Sequence, residues 1–243
     1  MNSIKLLIWN VEWAKGGSDR GKGLIQAISG ESPDIVCLTE CYEDFLLGDG
    51  YIICSDRDYG YQAPEGRRKV LLWSKNPWEN IDAFGDISMP RGRYIAGITE
   101  TAIGRIQIIG VCIPWREAHV RTGRKDRAIW EDHLAYLGGL DKILKGNNFS
   151  EPVLVMGDYN QRIPRKRNPK EVYETMKHVF EKNNLTIGTA GEIAGVSEQS
   201  IDHLAHSGGI CVEEVRGIAR HIDDGLRLSD HFGVVVEIGL QKT

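Results

Sequence analysis

No apolar run approaches the roughly 20 residues needed to cross a bilayer, so no membrane-spanning segment is expected. The opening MNSIKLLIWNVEWAK is broken by Asn10 and Glu12 and lacks a small-residue cleavage site, which argues against a secretory signal. The five cysteines, Cys37, Cys41, Cys54, Cys112 and Cys211, are odd in number and never paired at a metal-finger spacing. A disulfide framework and a zinc knuckle are therefore not expected, and a reducing, cytoplasmic location is. Basic excess is also missing. With 30 Lys and Arg against 34 Asp and Glu, the net charge is −4. That disfavours a coat for non-specific nucleic-acid binding while leaving room for a local basic site. No Pro/Gly/Ser-rich linker, composition shift or short repeat divides the 243 residues, so one domain over residues 1–243 is expected.

What is present is a series of short apolar runs at 4–9, 34–38, 70–73, 106–113, 153–156 and 234–238. Their length, β-branched content and flanking turn residues read as strands, several buried on both faces. Residues 94–101 and 105–113 read as a hairpin turning at 102–104. Helical spacing lies between some of the runs. Leu24, Ile25 and Ile28 share a face that ends at Gly30, read as a C′ glycine. Trp130, Leu134, Leu137 and Leu144 share another. Asn168 is expected to cap a third helix, with Pro169 in its first turn, Glu171 closing a capping box, and Val172, Met176 and Val179 buried. Hairpins mixed with helix-separated strands imply an α/β fold of mixed sheets covered by helices.

Polar residues recur where these strands stop: Asn10 and Glu12, then Thr39-Glu40, then Gly157-Asp158-Tyr159-Asn160, then Ser200-Ile201-Asp202-His203, then Ser229-Asp230-His231. Singly, each is an ordinary cap or turn. In this order, WN, LTE, GDYN, SIDH and SDH, the series resembles the endonuclease/exonuclease/phosphatase superfamily. That group includes deoxyribonuclease I, exonuclease III-type abasic-site nucleases, sphingomyelinases and inositol polyphosphate 5-phosphatases. The resemblance spans residues 9–232. It implies a four-layered α/β sandwich of two mixed sheets flanked by helices, a site at one edge, a divalent metal and phosphoester hydrolysis. Magnesium is the expected metal, with manganese as the alternative.

The chemistry accounts for these residue types. A phosphodiester is anionic and repels hydroxide, so the site must neutralise charge, make a nucleophile and stabilise the leaving oxygen. Magnesium takes oxygen ligands and keeps several waters, so one or two carboxylates suffice. The resemblance assigns Glu40 as metal ligand, with Asn10 beside it and Asp230 contributing directly or through water. It assigns Asp158 to the attacking water and Asn160 to a phosphoryl oxygen. In an extended segment, side chains at i and i+2 point the same way, which would let these two share a target. Gly157 is read as permitting a sharp turn. His231 is matched to the phosphate and Asp202 to orienting its ring, a pairing that favours imidazolium near neutrality. His231 as the base is the competing assignment.

One position departs from the family pattern. Many relatives carry a histidine or tyrosine near the end of the strand at 106–113, where this chain has Cys112. A thiol is a weak donor and cannot replace imidazolium as an acid. Arg116, in the following loop, is expected to supply the missing charge; the alternative leaves leaving-group chemistry to the metal alone. Trp9, Trp13 and Trp115 lie near the site and are expected to be core. The remaining histidines lack metal spacing, with His203 pointing away from Asp202.

Two basic clusters, Arg116 with Arg121 to Arg127 and Arg162 to Arg167, each begin a few residues after a candidate site residue. They fit a phosphate-binding rim, which gives affinity without sequence information. The leading expectation is a monomeric metal-dependent nuclease acting on nucleic acid, with no membrane partner. The alternatives are a phosphatase or phosphodiesterase of inositol phosphates, phospholipid head groups or nucleotides, and an inactive binding module on the same fold.

Overall fold

The computed structural model describes residues 2–45, 48–146, 149–222 and 225–241. The chain runs β1 (Ser3–Asn10), α1 (Asp19–Gly30), β2 (Ile35–Tyr42), β3 (Tyr51–Cys54), β4 (Arg67–Ser74) and β5 (Trp78–Asp82). It continues through β6 (Tyr94–Thr101), β7 (Gly104–Cys112), α2 (Glu131–Gly146), β8 (Val153–Asp158) and α3 (Lys170–Lys182). The last third holds β9 (Thr186–Ile187), β10 (Glu192–Ile193), β11 (Glu198–Gln199), β12 (Asp202–His206), β13 (Ile210–Ile218) and β14 (Gly233–Leu240). One six-stranded sheet has the order β13-β14-β1-β2-β4-β3, and the other β5-β6-β7-β8-β12-β9. Both are mixed: β1–β2 and β7–β8 are parallel pairs inside otherwise antiparallel ladders.

Alternation along each strand builds the layers. On β1, Ile4, Leu6 and Ile8 enter a core shared with Ile35, Cys37, Val70 and Leu72 from their own sheet and Ile106, Ile108, Leu154, Met156 and Leu204 from the other. The intervening Leu7 and Trp9 pack outward with Leu24 and Ile28 of α1. On the far side, Ile109, Val111, Val153 and Val155 meet Tyr136, Leu137 and Leu140 of α2 and Met176, Val179 and Phe180 of α3. The strands are apolar on both faces because both faces are covered. Each such aliphatic side chain contributes roughly 1.5–3 kcal/mol on burial. The result is the expected sandwich, with helices outside two facing sheets.

Three local expectations change. Gly30 is the last residue of α1, followed by Glu31 in right-handed conformation, and the left-handed residue is Ser32 (φ 50°). The helix therefore ends through Ser32 rather than through a C′ glycine. Pro169 occupies the N-cap of α3 and no side chain caps it; the Asn168 carbonyl instead accepts from Arg165 at 2.9 Å. The capping box does not form because the helix begins one residue later than Asn168 requires. Leu134 is 40% exposed rather than part of the buried stripe of α2.

Gly157 also has a different role. It lies inside β8 at φ 139°, where a Cβ would stand 2.0 Å from the Val111 carbonyl oxygen of the neighbouring strand. The glycine permits close strand approach rather than a turn. Gly157→Ala is expected to cost about 3 kcal/mol, read as a lower urea midpoint.

His133 of α2 is fully buried, with Nδ1 2.7 Å from the Pro114 carbonyl and Nε2 2.8 Å from Gln161 Nε2. Burial pushes its pKa down to about 4, against a slight upward pull from the Pro114 carbonyl. The unfolded chain binds this proton near pH 6.5, so the neutral ring's stabilisation is complete above that pH and fades as pH falls toward 4. Urea midpoints should fall across that window with a His133 share of about 1.4 kcal/mol per pH unit, and His133→Gln should remove that share.

Candidate active site

On β1 and β8 the inter-sheet face is apolar until the last position, at one end of the sandwich, where it becomes polar. β1 reads Ile4, Leu6, Ile8, Asn10, and β8 reads Leu154, Met156, Asp158. In the second sheet the polar positions fall in register. Cys112 pairs with Asp158 and Asp158 with Asp202, while the Cys112 amide donates to the Arg93 carbonyl at 3.0 Å. In the first sheet Asn10 pairs with Thr39, and Glu40 follows. The Ser229 hydroxyl donates to the Asn10 carbonyl at 2.6 Å, and Trp9 Nε1 donates to the His231 carbonyl at 3.0 Å. Those two bonds hold the 229–231 turn against β1.

At the polar end, two bonds between side chains join the sheets. Asn10 Nδ2 donates to Asp158 Oδ2 at 3.2 Å, and His231 Nδ1 lies 2.6 Å from Asp202 Oδ2. Asp158 and Asp202 are 3% and 1% exposed. Burial, reinforced by the neighbouring Asp202 charge and opposed by His231, pushes the Asp158 carboxyl up to about 7. Burial alone would lower His231, but the charge and hydrogen bond of Asp202, with help from Asp158 and Asp230, outweigh it and raise the ring to about 10. Its Nε2 lies 4.0 Å from Asp230 Oδ1, and Asp230 is half exposed at the rim.

Asn160 is not extended. Its φ is 54°, its amide N–H donates back to Asp158 Oδ1 at 2.8 Å, and its side-chain Nδ2 donates to the Ile113 carbonyl at 2.8 Å. The expected parallel projection of residues 158 and 160 is thus replaced by a tight Asx turn that ties the GDYN loop to the end of β7. His203 does face the other way, against Gln161 and Thr189.

Glu40 sits at φ 52° and accepts from Lys69 Nζ at 2.6 Å. Lys69 is 8% exposed and lies 4.9 Å from the Trp13 ring and 5.3 Å from Tyr59. Of the tryptophans, Trp9 is core as expected, whereas Trp115 is 44% exposed and Trp13 stacks on Tyr59 with Arg67 4.6 Å from its ring. Arg116 donates through Nε and Nη2 to Glu117 Oε1, at 3.0 and 2.7 Å, on the surface. The cations at Cys112 are instead Lys69 and Arg93, both buried. Burial pushes the Cys112 thiol up to about 12, so it stays neutral between them. In the sequence Lys69 is marked only as part of the basic run 67–69 and Arg93 by nothing beyond its place just before a strand.

The two basic clusters differ. Arg124 pairs with Asp126, and Arg127 with Asp132 and Glu131, so much of the first cluster is neutralised. Arg162, Arg165, Lys166 and Arg167 are exposed and form no ion pair among the described residues. Arg162 lines a cavity of about 230 Å³ with Ser200, Asp202, Arg220 and His231.

Among the described residues, one trio of acidic or imidazole groups has ligand atoms all within 4.8 Å: Asp158, Asp202 and His231. Within that trio His231 Nδ1 is already engaged with Asp202 Oδ2. Glu40 and Asp230 lie outside that trio. Glu40 and Asn10 nonetheless offer carboxylate and amide oxygens, and the Glu40 side chain is 26% exposed, leaving room for waters. That donor chemistry suits a hard divalent cation.

Two facing mixed sheets thus carry a buried carboxylate–imidazole pair at one edge. The Endonuclease/Exonuclease/phosphatase family model matches residues 7–231, and the chain belongs to that family. Its members hydrolyse phosphoester bonds and generally depend on a divalent metal. The fold is similar to an endonuclease/exonuclease/phosphatase from Beutenbergia cavernae (TM-score 0.68, 15% identity, 99% of this chain and 72% of that chain). It is also similar to an AP endonuclease from Archaeoglobus fulgidus (0.66, 16%, 96% and 98%). A 3′ phosphatase from Neisseria bound to a product DNA hairpin is a third neighbour (0.69, 14%, 98% and 100%). A sequence comparison with curated proteins returns no match.

Asp202→Asn keeps the shape but removes the charge that holds His231 protonated. Phosphoester turnover should fall on the order of 10²-fold with the circular dichroism of the parent. Unchanged turnover would separate the imidazolium from the chemistry.

Proposed function

We propose that the chain is a divalent-metal-dependent nuclease hydrolysing phosphodiester bonds of nucleic acid, working as a cytoplasmic monomer. The observation that carries this reading is the cross-sheet pair His231–Asp202 standing beside an exposed, unpaired arginine loop at 162–167. Asp158 is the base: buried, raised toward neutrality and steadied by Asn10, it takes the proton of the attacking water. Asn160 locks the loop that carries Asp158, and the second hydrogen of its amide is available to a phosphoryl oxygen. His231 donates through Nε2 to the phosphoryl oxygens, and its fixed charge stabilises the pentacoordinate state. Asp202 holds that ring in place.

Glu40 and Asn10 would hold magnesium, or manganese in its stead, with Asp230 reaching through water. A bound divalent ion neutralises phosphoryl and leaving-group charge. Arg162, Arg165, Lys166 and Arg167 contact flanking phosphates, a use that a polymeric substrate favours over a small monoester. The Neisseria neighbour's DNA hairpin supports the same substrate class. Arg116, paired to Glu117, adds only long-range charge.

The experiment offers DNA, RNA, bis-p-nitrophenyl phosphate and inositol phosphates with magnesium or manganese, alongside Asp158→Asn. Nucleic acid should be cleaved by the parent and not by the variant. Turnover of inositol phosphates alone would replace the nuclease by a phosphatase, and equal activity of the variant would remove Asp158 from the site.

A further inference from the structure

Glu40, the carboxylate to which the metal is assigned, already has a cation. It lies across from Lys69, between the paired positions Thr39–Val70 and Cys41–Arg68 of β2 and β4. Its Oε1 accepts from Lys69 Nζ at 2.6 Å. The backbone of Glu40 is fixed too, with φ at 52° and its carbonyl accepting from the Trp13 amide at 2.6 Å. Lys69 is no loose surface lysine. Its side chain is 11% exposed, and its ammonium lies 4.9 Å from the Trp13 ring and 5.3 Å from the Tyr59 ring. At such distances an aromatic face attracts a cation. A carboxylate and two rings thus hold one positive charge in place.

The other groups at that end add little negative charge. Asn10 is neutral, and its Oδ1 already accepts from the Glu12 amide at 2.9 Å. Glu12 pairs with Arg20 and Arg227, and Glu43 with Arg68. Asp230 is the exception, half exposed at the rim with the His231 ring 4.0 Å away. Glu40 and Lys69 sum to zero, so that pair offers a metal the second carboxylate oxygen, Oε2, and no net charge. Magnesium is held by one or two carboxylates together with substrate phosphates. With Lys69 in place the carboxylate share shrinks and the phosphate share grows.

We propose that Lys69 is a resident counter-cation that keeps divalent-metal affinity low until a phosphoester arrives, so that metal and substrate bind cooperatively. This role rests on the assignment of the metal to Glu40 and Asn10 in the hydrolase reading of the site. The incoming phosphoryl group brings the negative charge that the Glu40–Lys69 pair lacks and offsets both cations at once. Coupling of this kind is reciprocal: the metal tightens the phosphoester by the factor by which the phosphoester tightens the metal. A positive charge one carboxylate away from a divalent ion weakens its binding about 10-fold even at the dielectric of water.

Manganese binding to the full chain, followed by the paramagnetic signal of the free ion, measures this without turnover. Lys69→Met keeps the stem against the rings and removes the charge, so it should bind manganese about 10-fold more tightly than the parent. Lys69→Arg keeps the charge and should bind as weakly as the parent, a restoration that a packing role would not produce. Dimethyl phosphate, the simplest phosphodiester, should tighten manganese on the parent by a larger factor than on Lys69→Met. Glu40→Gln should lose the metal with or without it. Equal manganese affinity of parent and Lys69→Met overturns the proposal. So does a parental affinity that dimethyl phosphate leaves unchanged, even where Lys69→Met does not fold. Tighter manganese binding by Lys69→Met in a protein cleaving no nucleic acid would sink the nuclease reading and leave Lys69 standing. Cleavage of nucleic acid, with parent and Lys69→Met equal in manganese affinity, would do the reverse.

Discussion

The hydrogen bond between His231 and Asp202, 2.6 Å long, is the constraint on which the polar end of the sandwich depends. It links the two sheets where their shared apolar core stops. Without its partner, either group would be a nearly buried charge of the kind that a low-dielectric interior tolerates poorly. Together they set a fixed positive charge against a carboxylate, and Asp158 then feels burial and Asp202 more strongly than it feels the imidazolium. Burial first, and then that pair, set the protonation of a third group on an adjacent strand. Asn10 adds a second tie at that end, so Asp158 is oriented from the sheet opposite its own.

Much of this was legible in the sequence because strands have period two. The apolar runs marked the core, and the first polar residue after each run marked the edge. Asn10 and Asp158 fall where that rule puts them, whereas Asp202 opens β12 ahead of its apolar residues. Extended geometry failed at Asn160, where a left-handed residue folds the chain back on Asp158. The capping box failed at Asn168 because Pro169 itself takes the N-cap position. Gly157 was misread because a glycine in sequence does not distinguish a turn from a close strand contact, and only the Val111 carbonyl decides it. Lys69 and Arg93 were missed for a related reason. A basic residue is read as surface, and their burial comes from long-range register among strands distant in sequence.

The basic loops show why composition alone misleads about substrate. The 116–127 loop is rich in arginine, but Asp126, Glu131 and Asp132 lie close enough to occupy much of its charge. Such pairs hold the loop to α2, and exposed ones contribute little to stability. The 162–167 loop has no comparable acids, so its field extends outward over the cavity beside His231. Two stretches alike in residue count therefore do different things.

The distribution of buried charge follows the same logic on a finer scale. Lys69 is neutralised by Glu40 and covered by Trp13 and Tyr59, an arrangement that is complete without substrate. Arg93 is not neutralised, and the carboxylates at that edge of the sheet are already committed: Asp158 to Asn10 and the Asn160 amide, Asp202 to His231. Arg67, also shielded and without an ion pair among the described residues, rests instead on the Tyr42 hydroxyl and the Trp13 ring.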